Sequence, residues 1–201
     1  MLVTEKDLDS YFKSSILSAL SHQQVEASEH TVVYLSSLLV HFSHTEHLFE
    51  KNEDGVYLKP LALYYADYSH AKTPQQRTYA LRRLGDVALF VSGLYSQCLS
   101  RKAVDIDYYI AMGGGAYAQL SNAHEQQANK HVFTDIFSEL SNKFVDYMDV
   151  LSEITEAQHS SHTDILRQYE IWLRSGSKAA KKRLNSQGIF PHPNFSGPTK
   201  H

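Results

Sequence analysis

Between Tyr79 and Tyr117 the chain reads YALRRLGDVALFVSGLYSQCLSRKAVDIDYYIAMGGGAY, a stretch that is nearly all apolar yet carries a spaced set of charges. From Val87 to Leu94 the apolar residues run all the way round a helical wheel, so this segment suits a central helix buried on most sides. A fold that buries such a helix must also accommodate Arg82, Arg83, Asp86, Arg101, Lys102, Asp105 and Asp107. Charges near a core are costly unless partnered. The segment therefore implies either an internal ion-pair network or a polar site walled by apolar side chains.

Helix start signals recur along the rest of the chain, each followed by apolar residues three and four apart. Thr4 with Asp7 has the form of a capping box ahead of Leu8, Phe12, Ile16 and Leu20. A second helix begins near Ser28 and should bury Val32, Leu35, Leu39 and Phe42, before EKNEDG at Glu50 to Gly55 breaks it. Pro60 suits the first turn of a short helix with an aromatic stripe of Leu61, Tyr64, Tyr65 and Tyr68. Thr73, Pro74 and Gln76 supply cap, first-turn proline and capping-box partner together. A further helix is expected from about Val104 to Ala123.

The clearest periodicity links Phe133, Phe137, Leu140, Phe144, Tyr147, Leu151 and Ile154, which keep one seam of a long helix apolar. Val132, Ile136 and Met148 widen that seam. A broad stripe suits packing in a bundle, with a dimer seam as the alternative. Ser161 and Asp164 then cap a helix carrying Ile165, Leu166, Tyr169, Trp172 and Leu173, and the basic run KAAKKRL follows. No alternating strand pattern persists. The expected fold is all-α: a single bundle of about six to eight helices over residues 1–187, with a flexible Pro-rich tail over 188–201.

Composition narrows the function classes. With 42% hydrophobic and 20% charged residues, the chain has the make-up of a globular protein rather than a disordered one. A formal charge of -3 gives no overall bias toward nucleic acid or anionic lipid. Cys98 stands alone, so neither an internal disulfide nor a Cys-rich zinc site can form. The opening MLVTEKDLDSYF shows no basic region followed by a long apolar run, and other apolar stretches are too short to cross a bilayer. These features lead to the expectation of a cytoplasmic protein without a membrane partner.

Several groups of residues invite a chemical reading. Asp105, Tyr108, Tyr109 and Met112 fall at helical neighbour spacing beside Asp107, and Tyr117 follows a run of small residues at Gly113, Gly114 and Gly115. Together with Arg82, Arg83, Asp86 and Arg101, these define a candidate polar site or structural ion-pair network. The glycines do not follow a strand or precede a Lys-Ser/Thr pair, so close helix approach or space for a ligand explains them better than a phosphate loop. Three glycines each weaken a helix by about 1 kcal/mol relative to alanine, so some compensating role is required.

Histidine is abundant, with 12 residues, and His41, His44 and His47 recur at every third position. Glu156 and His159 form one Glu-x-x-His, the unit that di-iron bundles use twice, and Glu26, Glu29 and His30 are the candidates for further donors. A solvated helix face is the default reading of these residues, and no cofactor is expected. Full histidine protonation would move the formal charge from -3 to -3 + 12 = +9, which implies pH-dependent solubility or binding. Lys178, Lys181, Lys182 and Arg183 could contact phosphates, but no recognition helix, zinc finger or aromatic platform accompanies them, so no nucleic-acid interface is expected.

The segments LGDVALFVSGL (Leu84 to Leu94), RKAVDIDYYIAMGGGAY (Arg101 to Tyr117), YEIWLRSGS (Tyr169 to Ser177) and GIFP (Gly188 to Pro191) resemble an all-helical family of uncharacterised bacterial proteins. That resemblance implies a bacterial, cytoplasmic, helical protein and brings no activity, cofactor or catalytic residue with it. Absent a complete catalytic constellation, the sequence favours a non-enzymatic interaction or regulatory protein that engages a protein partner or forms a homo-oligomer. The alternative is a small helical-bundle metal-dependent oxidase or ligand-binding enzyme.

Overall fold

A computed structural model describes residues 5–52, 55–99, 106–125 and 131–157, together with Tyr169, Lys181, Leu184, Asn185 and Ile189. The fold is an all-α bundle, and the described residues form eight helices and one small hairpin. In chain order these are α1 (Glu5–Gln23), α2 (Glu29–Ser43), α3 (Thr45–Leu48), β1 (Glu50–Asn52), β2 (Gly55–Tyr57), α4 (Leu61–His70), α5 (Pro74–Leu99), α6 (Ile106–Glu125), α7 (His131–Asn142) and α8 (Phe144–Ala157). No helix among the described residues is long and apolar enough to cross a membrane.

The chain divides into two compact units. The larger comprises residues 1–44 and 60–158. Its axis is α5, which packs against α2, α4, α6 and α8, while α7 lies on α6 and α2, and α1 lies on α2 and α8. Leu84, Val87, Ala88, Leu89, Phe90 and Val91 of α5 are all buried, as the all-round apolar pattern requires. The capping signals fold as their chemistry dictates. Thr73 Oγ1 accepts the Gln76 N–H at 3.2 Å, and Gln76 Oε1 accepts the Thr73 and Lys72 N–H groups at 3.3 and 3.0 Å. Ser28 caps α2 in the same way by accepting the Thr31 N–H at 3.2 Å. Thr4 lies outside the described residues.

The long apolar seam closes inside this unit. Ile136, Phe137, Leu140, Phe144, Tyr147, Met148, Leu151 and Ile154 are buried, whereas Val132 and Phe133, at the start of α7, are 45% and 43% exposed. Phe133 rests one ring face on Phe137, 6.3 Å away, and turns the rest outward. The seam is covered within this unit by α5, α6, α1 and α2, as packing in a bundle requires. The helix is also divided at Lys143, although Lys143 N–H still bonds to the Glu139 carbonyl and Tyr147 N–H to the Lys143 carbonyl, at 2.9 and 3.0 Å.

The smaller unit comprises residues 45–59 and 159–201. Where the sequence showed only a break, β1 and β2 pair antiparallel with Glu50 opposite Tyr57 and Asn52 opposite Gly55. Three-residue strands are too short to show alternation, which is why the pattern was invisible in the sequence. Glu50 receives Lys59 at 3.3 Å and the Tyr57 hydroxyl at 3.3 Å. Tyr169 lies edge-on to Phe49, with centroids 5.6 Å apart, and its hydroxyl accepts the Leu58 N–H at 3.4 Å. Ile189 is buried and its N–H bonds to the Leu184 carbonyl at 3.0 Å. The other residues of the expected C-terminal tail lie outside the described residues, as do Ser161, Asp164, Lys178, Lys182 and Arg183.

Candidate functional site

The polar centre of the larger unit is Asp86, on the buried middle of α5. Its Oδ1 accepts two phenols, the Tyr34 hydroxyl from α2 at 2.6 Å and the Tyr117 hydroxyl from α6 at 2.8 Å. Its Oδ2 faces the Nε of Arg82, one helical turn earlier, at 3.6 Å. Arg82 also donates from Nε to the Tyr34 hydroxyl at 3.2 Å and lies over the Tyr34 ring, 5.2 Å from its centroid. The Asp86 side chain is 15% exposed and that of Arg82 52%, so the node is sealed toward the core and open at its rim.

Tyr117 reaches Asp86 because Gly85 stands beside it. A Cβ at Gly85 would lie 2.7 Å from Cε1 of the Tyr117 ring. The ring also stacks on Phe137, with centroids 5.8 Å apart, and Phe137 meets Tyr34 edge-on at 5.7 Å. The two phenols are thus held in an aromatic wall that fixes where their hydroxyls point.

Burial pushes the Asp86 carboxyl above the ordinary aspartate range, and the hydrogen bonds from Tyr34 and Tyr117 and the charges of Arg82 and Arg83 oppose that without cancelling it. Burial and then the Asp86 charge raise both phenols well above the usual tyrosine value, so each remains a donor.

Of the residues singled out from sequence, Arg82, Asp86 and Tyr117 come together here. Arg83 extends its guanidinium over the rings of Phe42 and Tyr64, at 5.0 and 6.0 Å, and so links α5 to α2 and α4. Asp107 is exposed in the first turn of α6, where a negative charge suits the helix dipole. Tyr108 and Tyr109 stand edge-to-face, 5.9 Å apart. Burial raises the Tyr108 phenol, opposed by a hydrogen bond with the Ala62 backbone of α4. Arg101 and Asp105 lie outside the described residues.

Tyr34 was missed in the sequence. It borders the apolar face set by Val32, Leu35 and Phe42, and a tyrosine at such a border can bury its ring while its hydroxyl seeks a partner. The glycine run separates by role. A Cβ at Gly113 would fall 2.5 Å from the Phe144 ring and 2.7 Å from Ala88 Cβ, so close approach of α6 to α5 and α8 depends on it, whereas a Cβ at Gly115 would meet nothing within 4 Å.

A second carboxylate, Glu139 of α7, was also missed. It accepts the Thr31 hydroxyl at 2.6 Å, the Tyr147 hydroxyl at 2.8 Å and the Ser28 N–H at 3.1 Å, with Lys143 at 3.5 Å. Burial alone would raise its carboxyl, but the bonds from Thr31, Ser28 and Tyr147 hold it below the ordinary range. It ties the start of α2 to α7 and α8.

Among the described residues, no group of three or more His, Cys, Asp or Glu gathers to hold a metal. The helix α2 ends at Ser43, so the histidine triplet does not share one helix. Glu156 belongs to the last turn of α8, and His159 lies outside the described residues. No family model, curated protein or solved structure matches the chain, so the resemblance drawn from its segments gains no support from them.

Proposed function

We propose that this chain is a non-enzymatic interaction or regulatory protein whose helical bundle presents surfaces to a protein partner or to further copies of itself in the cytoplasm. The observation that carries this reading is how Asp86 is used. Both hydrogen bonds to its Oδ1 come from the protein's own phenols, on two different helices, so the carboxylate braces α2, α5 and α6. Glu139 is spent in the same manner on Ser28, Thr31 and Tyr147. Carboxylates engaged this way hold helices in register. The outer surface is then the part of the molecule left to act, and it carries Tyr79 at 72% exposure and Leu17 and Tyr11 at about half.

Sedimentation at increasing protein concentration, combined with elemental analysis of untagged protein, tests the reading. The expected result is association, with itself or with an added partner, and no stoichiometric iron, manganese or zinc. A strict monomer with metal-dependent turnover would reverse it in favour of the enzyme alternative.

A further inference from the structure

The carboxylate of Asp86 is saturated on one oxygen and open on the other. Oδ1 holds the Tyr34 and Tyr117 hydroxyls at 2.6 and 2.8 Å, whereas Oδ2 has Arg82 Nε at 3.6 Å, beyond a good hydrogen bond, and the side chain retains 15% exposure. We propose that Asp86 is a proton-operated clasp: a proton taken up by its carboxylate settles on Oδ2 and loosens Arg82, while Oδ1 keeps α2, α5 and α6 tied together.

Geometry decides where the proton goes. Protonation at Oδ1 would require one of two phenols, each held by aromatic packing, to give up its bond. Protonation at Oδ2 displaces nothing but an ion pair with a half-exposed cation. The product is a neutral carboxylic acid whose O–H points toward solvent, beside a guanidinium that has lost its counter-charge.

The surroundings are specific. On α5 the charged neighbours are Arg82 and Arg83, on α2 and α6 the titratable ones are Tyr34 and Tyr117, α4 places Tyr64 beneath Arg83, and α7 and α8 contribute the Phe137 and Phe144 rings. The two arginines favour the ionised form and burial favours the neutral one, with burial prevailing. Arg82 keeps its place over the Tyr34 ring in both states, so the response is a loosening rather than an unfolding.

Carbon-detected NMR titration of the full chain, following the Asp86 carboxyl and the Arg82 Nε–H, tests the clasp, with Asp86→Asn as the permanently neutral comparison. The Asp86 carboxyl should titrate above the ordinary aspartate value near 3.9. Across the same midpoint, Arg82 Nε–H exchange, taken relative to free arginine, should accelerate roughly fivefold, the scale set by loss of a part-exposed ion pair. The Tyr117 ring signals should hold steady. In Asp86→Asn, Arg82 should exchange at the faster rate at every pH. Titration at or below the ordinary value, or Arg82 protection that ignores the titration, would overturn the proposal, and the wild-type curves decide the matter even if the variant does not fold.

Discussion

Gly85 and Tyr117 form a matched pair, because the ring of Tyr117 occupies the space that a side chain at Gly85 would need, 2.7 Å from the missing Cβ. The ring is fully buried and stacked on Phe137, so it cannot swing aside. Gly85→Ala should therefore destabilise the protein. Helix propensity favours alanine by about 1 kcal/mol, while overpacking costs about 1 to 3 kcal/mol, and the second effect should win. Urea unfolding measures the difference, and an unchanged or higher midpoint would contradict it.

Gly115→Ala should do the opposite. A Cβ there meets nothing within 4 Å, and the residue lies inside α6. The propensity gain should appear almost undiminished, raising stability by about 0.5 to 1 kcal/mol in the same unfolding assay. Loss of stability would mean that this space is in use.

Removing one phenol oxygen tests the brace at Asp86. Tyr117→Phe keeps the ring and deletes the hydroxyl that bonds Oδ1 at 2.8 Å. A hydrogen bond to a charged group contributes about 1.5 to 3 kcal/mol, so a loss near 2 kcal/mol is expected at neutral pH. Most of that cost should vanish in an Asp86→Ala background, where the hydroxyl has no carboxylate left to bond. Equal losses in both backgrounds would show that the hydroxyl matters for another reason.

Glu139 should give an acid-side loss of stability. Its folded carboxyl sits below the unfolded value, so its contribution is complete above about pH 4.3 and fades as pH falls through the lowered folded value. Denaturant unfolding of wild type and Glu139→Gln should converge as pH drops below about 4. Asp86, raised in the fold, acts in the other direction: its ionised form burdens the native state, and that burden lifts as pH falls through its folded value.

Thr73→Ala deletes the hydroxyl that accepts the Gln76 N–H. Loss of such a cap weakens a helix start by about 0.5 to 2 kcal/mol. Amide exchange in the first turn of α5 should quicken accordingly, with the middle of the helix little affected.

Local chemistry made much of the fold legible. The caps at Ser28 and Thr73 and the all-round apolar stretch of α5 are recorded in neighbouring residues, and each appears in the structure where those residues place it. Arg82, Asp86 and Tyr117 were recognisable as a set because charge inside an apolar segment demands partners. What stayed hidden depends on distance along the chain. Tyr34 is 52 residues from Asp86, and nothing in either neighbourhood names the other. Asp86 meets Arg82 within its own helix and phenols from two others, and Gly85 leaves the room that the Tyr117 ring occupies. Glu139 was overlooked because a lone glutamate beside an apolar seam looks like an ordinary solvated residue.

The bond from the Ser28 N–H to Glu139 joins residues 111 positions apart, and it completes the first turn of α2. At a synthesis rate of about 5 to 20 residues per second, Ser28 is made roughly 6 to 22 s before its acceptor. During that interval the nascent hairpin of α1 and α2 carries an unfinished end and an uncovered apolar face. The α1–α2 hairpin is made early and finished late, and its exposure to chaperones and to misassembly is concentrated in those seconds.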